Sequence, residues 1–338
     1  MNRVSRVVPA AAILLAVALP YCALTLPGVF DSPFNSAGTL QTLTLCLIFA
    51  GLATGYDLLF GRTGMLSFGH ALFFATGTYL TTILVTRAGW SLWAAAPVAI
   101  LSAGALAAAV GAIALRTTGV AFAMVTLAFA QAGAIAISRN PGGVTGGSDG
   151  LSLDPARVPA ALVGVANTVN LYWLALAYLV LVMAVVGRVL ASPGGRVLTA
   201  IRDNEPRVRV LGVDTRYHKL AVFVLAAILA AGGGVVYAVA VGGASPRAAS
   251  TDLTLSLLIM VVLGGTGTRW GPVLGAVVYV YLDQRLTDLA SGATTADLPD
   301  WVRRIAGQPL LLLGTGFILL VYLAPGGLSR IRHRATRA

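Results

Sequence analysis

The sequence predicts an all-α fold, a polytopic bundle of about ten membrane-spanning helices. Three observations carry this expectation. The 338-residue chain is 57% hydrophobic and only 10% charged, with a mean hydropathy of +0.86, whereas soluble domains carry about 25% charged residues. Its apolar residues come in runs of roughly 20, the length that crosses a hydrocarbon core. Such runs must satisfy their own backbone as helices, and none alternates apolar with polar residues as a membrane β-barrel strand does.

The runs fall near 8–26, 37–60, 66–85, 90–115, 119–138, 168–190, 219–243, 253–265, 271–287 and 308–325. The first follows Arg3 and Arg6 as a signal peptide would. Tyr21 denies Cys22 the small neighbour of a lipoprotein site, however, and further spans follow, so an uncleaved first helix is expected. The second and third runs are joined by DLLFGRTGMLSFGHALFFATGTY, whose Gly61, Gly64, Gly69 and Gly77 permit close backbone approach. Two readings of this junction stand. In one, a broken helix sets Ser67, His70, Thr76 and Thr78 on a polar path; in the other, the helices pack closely and the hydroxyls bond back to their own turns. An ionisable group at the depth of His70 points to a cavity or a partner. Asp57, one turn earlier, is expected to neutralise Arg62, against the alternative of lining the path.

Between the fifth and sixth runs, residues 138–159 are rich in Gly, Pro, Ser and Asp and read as turns. The eighth and ninth runs are short, and the Gly-rich break 261–276 between them needs polar company or a cavity for its freed backbone. The loop 283–304 has room for an interfacial helix with Trp301 at headgroup level. GRTGMLSFGHALFFATGTYL and GGTGTRWGPVLGAVVYVYL share Thr-Gly, later glycines and a Tyr, which hints at an internal repeat.

With the N-terminus in the cytoplasm and the spans alternating, the inner face collects 16 basic residues against four acidic ones, and the outer face seven against eight. That is the positive-inside pattern, and it places both termini in the cytoplasm. The net charge of +11 is thereby a matter of topology, and no nucleic-acid partner is expected. Lys219 is the only lysine and is followed by Leu220, which excludes a G-x-x-x-x-G-K-[ST] phosphate loop, so any nucleotide hydrolysis falls to a partner. His70, His218 and His333 are isolated, Cys22 and Cys46 read as buried thiols, and no G-x-S-x-G or paired intramembrane carboxylates occur. No enzyme, metal or cofactor is expected.

Residues 191–219 hold nine of the chain's 35 charged residues, between two apolar runs. So polar a segment lies at a membrane face. Ile201, Val208 and Leu211 recur among its charges, Pro206 ends or kinks a first short helix, and Gly212 fits a C-cap. A short amphipathic helix shaped to touch something soluble is expected, against the alternative of a solvated basic loop near anionic lipid. The whole chain, 1–338, is then expected to form one transmembrane domain with 191–218 as a cytoplasmic loop within it.

Here the residues resemble a known family. AIRDNEPRVRVLGVDTRYHKLAVFVLAAILAAGGGVVYA is similar to the cytoplasmic signature of the branched-chain amino acid ABC transporter permeases, and GRTGMLSFGHALFFATGTYL to their Gly-x-x-Gly-x-Leu-Ser-x-Gly-His helix. TGGSDGL resembles their outer-loop segment, that of the M-type member, and SLLIMVVLGGTGTRWGPVLGA their Gly-Pro break. Asp203 replaces a usual Glu, Pro206 intrudes, Asp57 stands where Asn is more usual, and 232–234 is Gly-Gly-Gly.

The resemblance implies a cytoplasmic-membrane permease subunit of type II ABC importer architecture, surrounded by lipid. It would pair with a second homologous permease and two cytoplasmic ATP-binding subunits, and take substrate from an extracytoplasmic binding protein. ATPase docking is expected at Ile201, Arg202, Asp203, Glu205, Arg209, Leu211 and Gly212. The translocation path is expected at Ser67, Gly69, His70, Thr76, Gly264, Gly265 and Gly267, without fixed charge. Relatives in this family carry branched-chain or other amino acids, urea or amides, or short organic acids, and the sequence does not choose among them. An ion-coupled secondary transporter would need buried carboxylates or a cation site, and a scaffolding protein would need no Gly-broken helices.

Overall fold

A computed structural model describes residues 16–22, 33–164, 167–291, 309–323 and 326–328. Its helices are α1 (Ala37–Thr63), α2 (His70–Thr86), α3 (Leu92–Ala114), α4 (Val120–Arg139), α5 (Thr168–Ala191), α6 (Pro193–Val210), α7 (Thr215–Val241), α8 (Thr251–Gly264), α9 (Gly271–Ser291) and α10 (Pro309–Leu323). Among the described residues α1, α3, α4, α5 and α7 are long and apolar enough to cross a membrane, and α2 and α8 are shorter apolar helices. The fold is the expected polytopic helical bundle. Of the run 8–26, residues 16–18 are helical and Leu19–Tyr21 form a 3-10 turn; the rest, like Trp301, lies outside the described residues.

The loops between the helices gather at two ends of the bundle. At one end β1 (Leu151–Ser152) pairs with β2 (Gly243–Ala244), Leu151 opposite Ala244, which ties the loop after α4 to the end of α7. The Thr-Gly-Gly segment folds here on the cap of α4, where Asn140 Oδ1 accepts from Thr145 N at 2.9 Å and Gly146 N at 3.1 Å. The opposite end holds the end of α1, α6 and turn 265–270.

Helix α1 is the axis of the bundle, and α7 crosses α2 where small residues let the backbones touch. A Cβ at Gly77 would sit 2.2 Å from Ala231 O, and one at Gly234 would sit 2.2 Å from Phe74 O. Thr78 Oγ1 uses that proximity, donating to Phe74 O (2.9 Å) and Gly234 O (3.2 Å). Hydroxyls of Thr44, Thr54, Thr76 and Thr82 likewise bond to carbonyls four residues back. This serves buried hydroxyls that have no water.

Two segments re-enter the bundle instead of lying at its ends. After α1 the chain turns back between α1 and α4: Tyr56 Oη donates to Ser67 O (3.1 Å), and Phe68 N donates to Thr126 Oγ1 (3.1 Å). Helix α2 therefore begins part-way along α1, near the level of Tyr56. Residues 242–250 dip from the hairpin end, so that α8 begins where Gln131 Nε2 donates to Thr251 Oγ1 at 2.7 Å, near the middle of α4. Ala71 N donates to Thr254 Oγ1 (3.2 Å) and locks the two breaks together.

Candidate functional site

The polar helix α6 starts from a Ser-Pro cap: Ser192 Oγ accepts from Gly195 N (3.3 Å), and Pro193 needs no partner in the first turn. Its Leu198, Ile201 and Val208 are buried against the bundle. The expected kink is present, but it falls at Asn204 (φ −162°, ψ 91°), two residues before Pro206. Proline cannot donate to an earlier carbonyl, so a new turn begins, with Asn204 Oδ1 accepting from Arg207 N at 3.0 Å. Pro206 thus stands near the start of the second segment, where it is tolerated.

Glu205 clasps this second segment to α7. Its carboxylate meets Lys219 Nζ at 2.5 Å and Arg209 Nη2 at 2.7 Å, and it accepts from Thr215 Oγ1 at 3.0 Å. Burial pushes the Glu205 pKa up, but hydrogen bonds from Lys219, Arg209 and Thr215 outweigh that and hold the carboxyl below its ordinary value. A depressed carboxyl contributes stability in full above its unfolded value, about 4.3, and loses it as pH falls through the lower folded value. Purified protein is therefore expected to melt higher than its Glu205→Gln variant near neutral pH, with the gap in Tm closing below pH about 4. An unchanging gap would show that the clasp does not act through charge.

The expected docking residues separate into two groups. Glu205 and Arg209 hold the loop in shape, and Ile201 is 4% exposed, so it anchors α6 in the core and presents nothing to a partner. Asp203, Leu211 and Gly212 face outward. Val210, which the sequence reading passed over, is the most exposed apolar residue there at 87%, next to Leu211 at 76%.

Arg202 stays exposed like Asp203, but its guanidinium reaches back to the end of α1. Its Nη1 donates to Gly61 O at the end of α1, and its Cγ lies against Gly64. On the other side of Gly61, Asp57 Oδ1 accepts from Gly267 N at 2.8 Å. The glycines make this contact possible: a Cβ at Gly61 would sit 1.9 Å from Asp57 Oδ1 and 2.5 Å from Gly267 N. Gly267, at φ +71°, reaches back with Gly61 O and Arg202 Nη1 as neighbours. The expected Asp57–Arg62 ion pair is absent. Asp57 is 4% exposed and spends its oxygen on the backbone turn, while Arg62 and Arg202 act on it only at longer range.

The residues expected on a path are not on one open surface. Ser67 and His70 are fully buried. Ser67 Oγ accepts from Gly69 N (3.2 Å), and Gly69 abuts Thr126. His70 lies edge-on to the Tyr56 ring at 4.8 Å, and neither imidazole nitrogen has a protein partner. Thr76 is bonded to its own helix. Gly264 packs on Gly271 O across the α8–α9 turn, Gly265 is buried, and Gly267 belongs to the Asp57 contact. The stretch around the first break thus meets α8 at Ala71–Thr254 and the turn after α8 at Asp57–Gly267. Sequence separation hid both meetings.

Helix α8 starts at Thr251 and α9 runs to Ser291, so Asp252 and Asp283 lie within helices and not in loops.

A family model described as branched-chain amino acid transport system, permease component, matches residues 38–313. The chain is 29% identical over 315 residues to the high-affinity branched-chain amino acid transport system permease protein LivM of Escherichia coli K12, covering 87% of this chain and 70% of that protein. It is 29% identical over 161 residues to a probable branched-chain amino acid transport permease protein LivM of Methanocaldococcus jannaschii (46% and 45%). It is 30% identical over 121 residues to the xylose transport system permease protein XylH of Escherichia coli K12 (35% and 30%). No solved structure matches. The match over most of the chain, with the broken helices and the polar α6 in order within it, makes this chain a member of the branched-chain amino acid transport system permease family.

Proposed function

We propose that this chain is a permease subunit of an ATP-driven importer of branched-chain amino acids in the cytoplasmic membrane. It pairs with a second homologous permease, receives substrate from an extracytoplasmic binding protein, and is driven by two ATP-binding subunits. Helix α6 and both termini lie on the cytoplasmic side. The chain is a transport subunit and not an enzyme.

The observation that carries this reading is the tip of α6. Val210 and Leu211 are 87% and 76% exposed at the end of the most highly charged stretch of the chain. Such residues gain from being covered by a protein surface. The Glu205 clasp keeps them in place, so the tip is a rigid contact.

The test is association. Val210→Asp with Leu211→Asp is expected to leave the permease in the membrane and to weaken co-purification of the ATP-binding subunits at least tenfold, equivalent to about 1.4 kcal/mol. ATP-dependent leucine uptake is expected to fall in parallel. Normal association in the double variant would remove α6 as the docking element.

A further inference from the structure

We infer that the face formed by Gln131, Arg247, Thr251 and Asp252 borders the aqueous path and binds the transported zwitterion, with Arg247 taking its carboxylate and Asp252 its ammonium. This deepens the importer reading and rests on it.

The first ground is depth. Gln131 is eleven residues into α4, about 16 Å along it, and Asp252 is twelve residues before the end of α8, about 18 Å from that end. The hydrocarbon core is about 30 Å thick. The Gln131–Thr251 bond (2.7 Å) fixes both helices at one level. Arg247 precedes them on the re-entrant segment, close enough to Tyr237 for its charge to bear on that hydroxyl. The Tyr237 ring packs on Phe74, one turn into α2, at 5.3 Å.

The second ground is exposure. Gln131, Arg247 and Asp252 are exposed, on a surface whose neighbouring exposed residues are apolar: Met124, Ile135 and Leu255. Ionised side chains at this depth do not face lipid. Neither Arg247 nor Asp252 takes part in any of the ion pairs among the described residues. Two opposite charges, held apart and both unpaired, match a ligand that carries one of each. The apolar residues beside them suit its side chain. The expectation that the path needs no fixed charge is thereby revised.

The experiment uses the assembled importer, with Cys22 and Cys46 replaced. Gln131→Cys is expected to react with a membrane-impermeant cationic methanethiosulfonate at least tenfold faster than the exposed apolar control Leu101→Cys. Leucine-loaded binding protein is expected to slow the reaction. Asp252→Leu and Arg247→Leu, which a lipid-facing site would welcome, are expected to cut leucine uptake at least tenfold with the complex intact. An unreactive Gln131→Cys, or normal uptake in both Leu variants, would overturn the assignment. Loss of the second permease from those variants would also overturn it, by making this face a subunit contact. Labelling that leucine does not slow, in a parent importer that takes up no leucine, would overturn the substrate reading and the zwitterion site together. Absent labelling with leucine uptake intact would overturn this placement alone.

Discussion

Arg202→Ala is expected to uncouple the importer: the ATP-binding subunits stay bound and ATP is still hydrolysed, but leucine moved per ATP falls at least tenfold. The side chain leaves the polar helix α6 and ends on Gly61 O, so its removal takes nothing from the outward tip at Val210 and Leu211. What it removes is a charged hydrogen bond, worth about 1.5–3 kcal/mol, between the helix proposed to meet the ATPase and the end of α1 at Gly61. Gly61 touches Asp57 and, through it, Gly267, so a shift of α6 reaches turn 265–270 by two contacts. Coupling needs a continuous chain of packed groups whose arrangement both sites bias, and Arg202 is the link where such a chain leaves α6. Lysine keeps the charge but lacks the planar fork, and Arg202→Lys is expected to fall between. The measurement is uptake and ATP hydrolysis on the same proteoliposomes, with subunit stoichiometry by gel. Loss of the ATPases from Arg202→Ala would return Arg202 to the docking surface, and an unchanged ratio of uptake to hydrolysis would deny the link.

The sequence reported the helices well because each is an apolar run with polar or Gly-rich ends. The run 37–60 became Ala37–Thr63, and 168–190 became Thr168–Ala191. Its failures have one physical origin. Charge was read as a sign of a helix end, so Asp252 was left one residue before its run, whereas α8 starts at Thr251 with that carboxylate in its first turn. The helix N-terminus favours that placement. Arg202 is exposed as expected, but its contact with a backbone carbonyl at Gly61 has no signature in sequence. The kink of α6 was legible from Pro206, whereas its location at Asn204 depended on which residue could cap the next turn. Ser67 and His70 were expected on a path, and what sequence could not supply was that Tyr56 and Thr126 close over that stretch and leave both fully buried.

Asp57 gives the sharpest separation between charge and geometry. An ion pair with Arg62 would make the negative charge indispensable. In the structure the carboxylate instead supplies one acceptor to Gly267 N at 2.8 Å, in a place so tight that no Cβ fits at Gly61. Asparagine offers the same oxygen at the same reach, whereas leucine, branched at the same carbon, offers none. Asp57→Asn is therefore expected to stay within about 0.5 kcal/mol of the parent protein and to transport normally. Asp57→Leu leaves a buried N–H without a partner, which costs about 1–3 kcal/mol, and frees turn 265–270 from α1. Its melting temperature should drop, and its uptake should fail even at temperatures where the bundle stays folded, since the turn it releases is the one Arg202 reaches through Gly61. Thermal melts in detergent with leucine uptake in proteoliposomes decide the matter. Equal damage from Asp57→Asn and Asp57→Leu would mean that the charge, set among Arg62, Arg202 and Arg269, is what this end of the bundle requires.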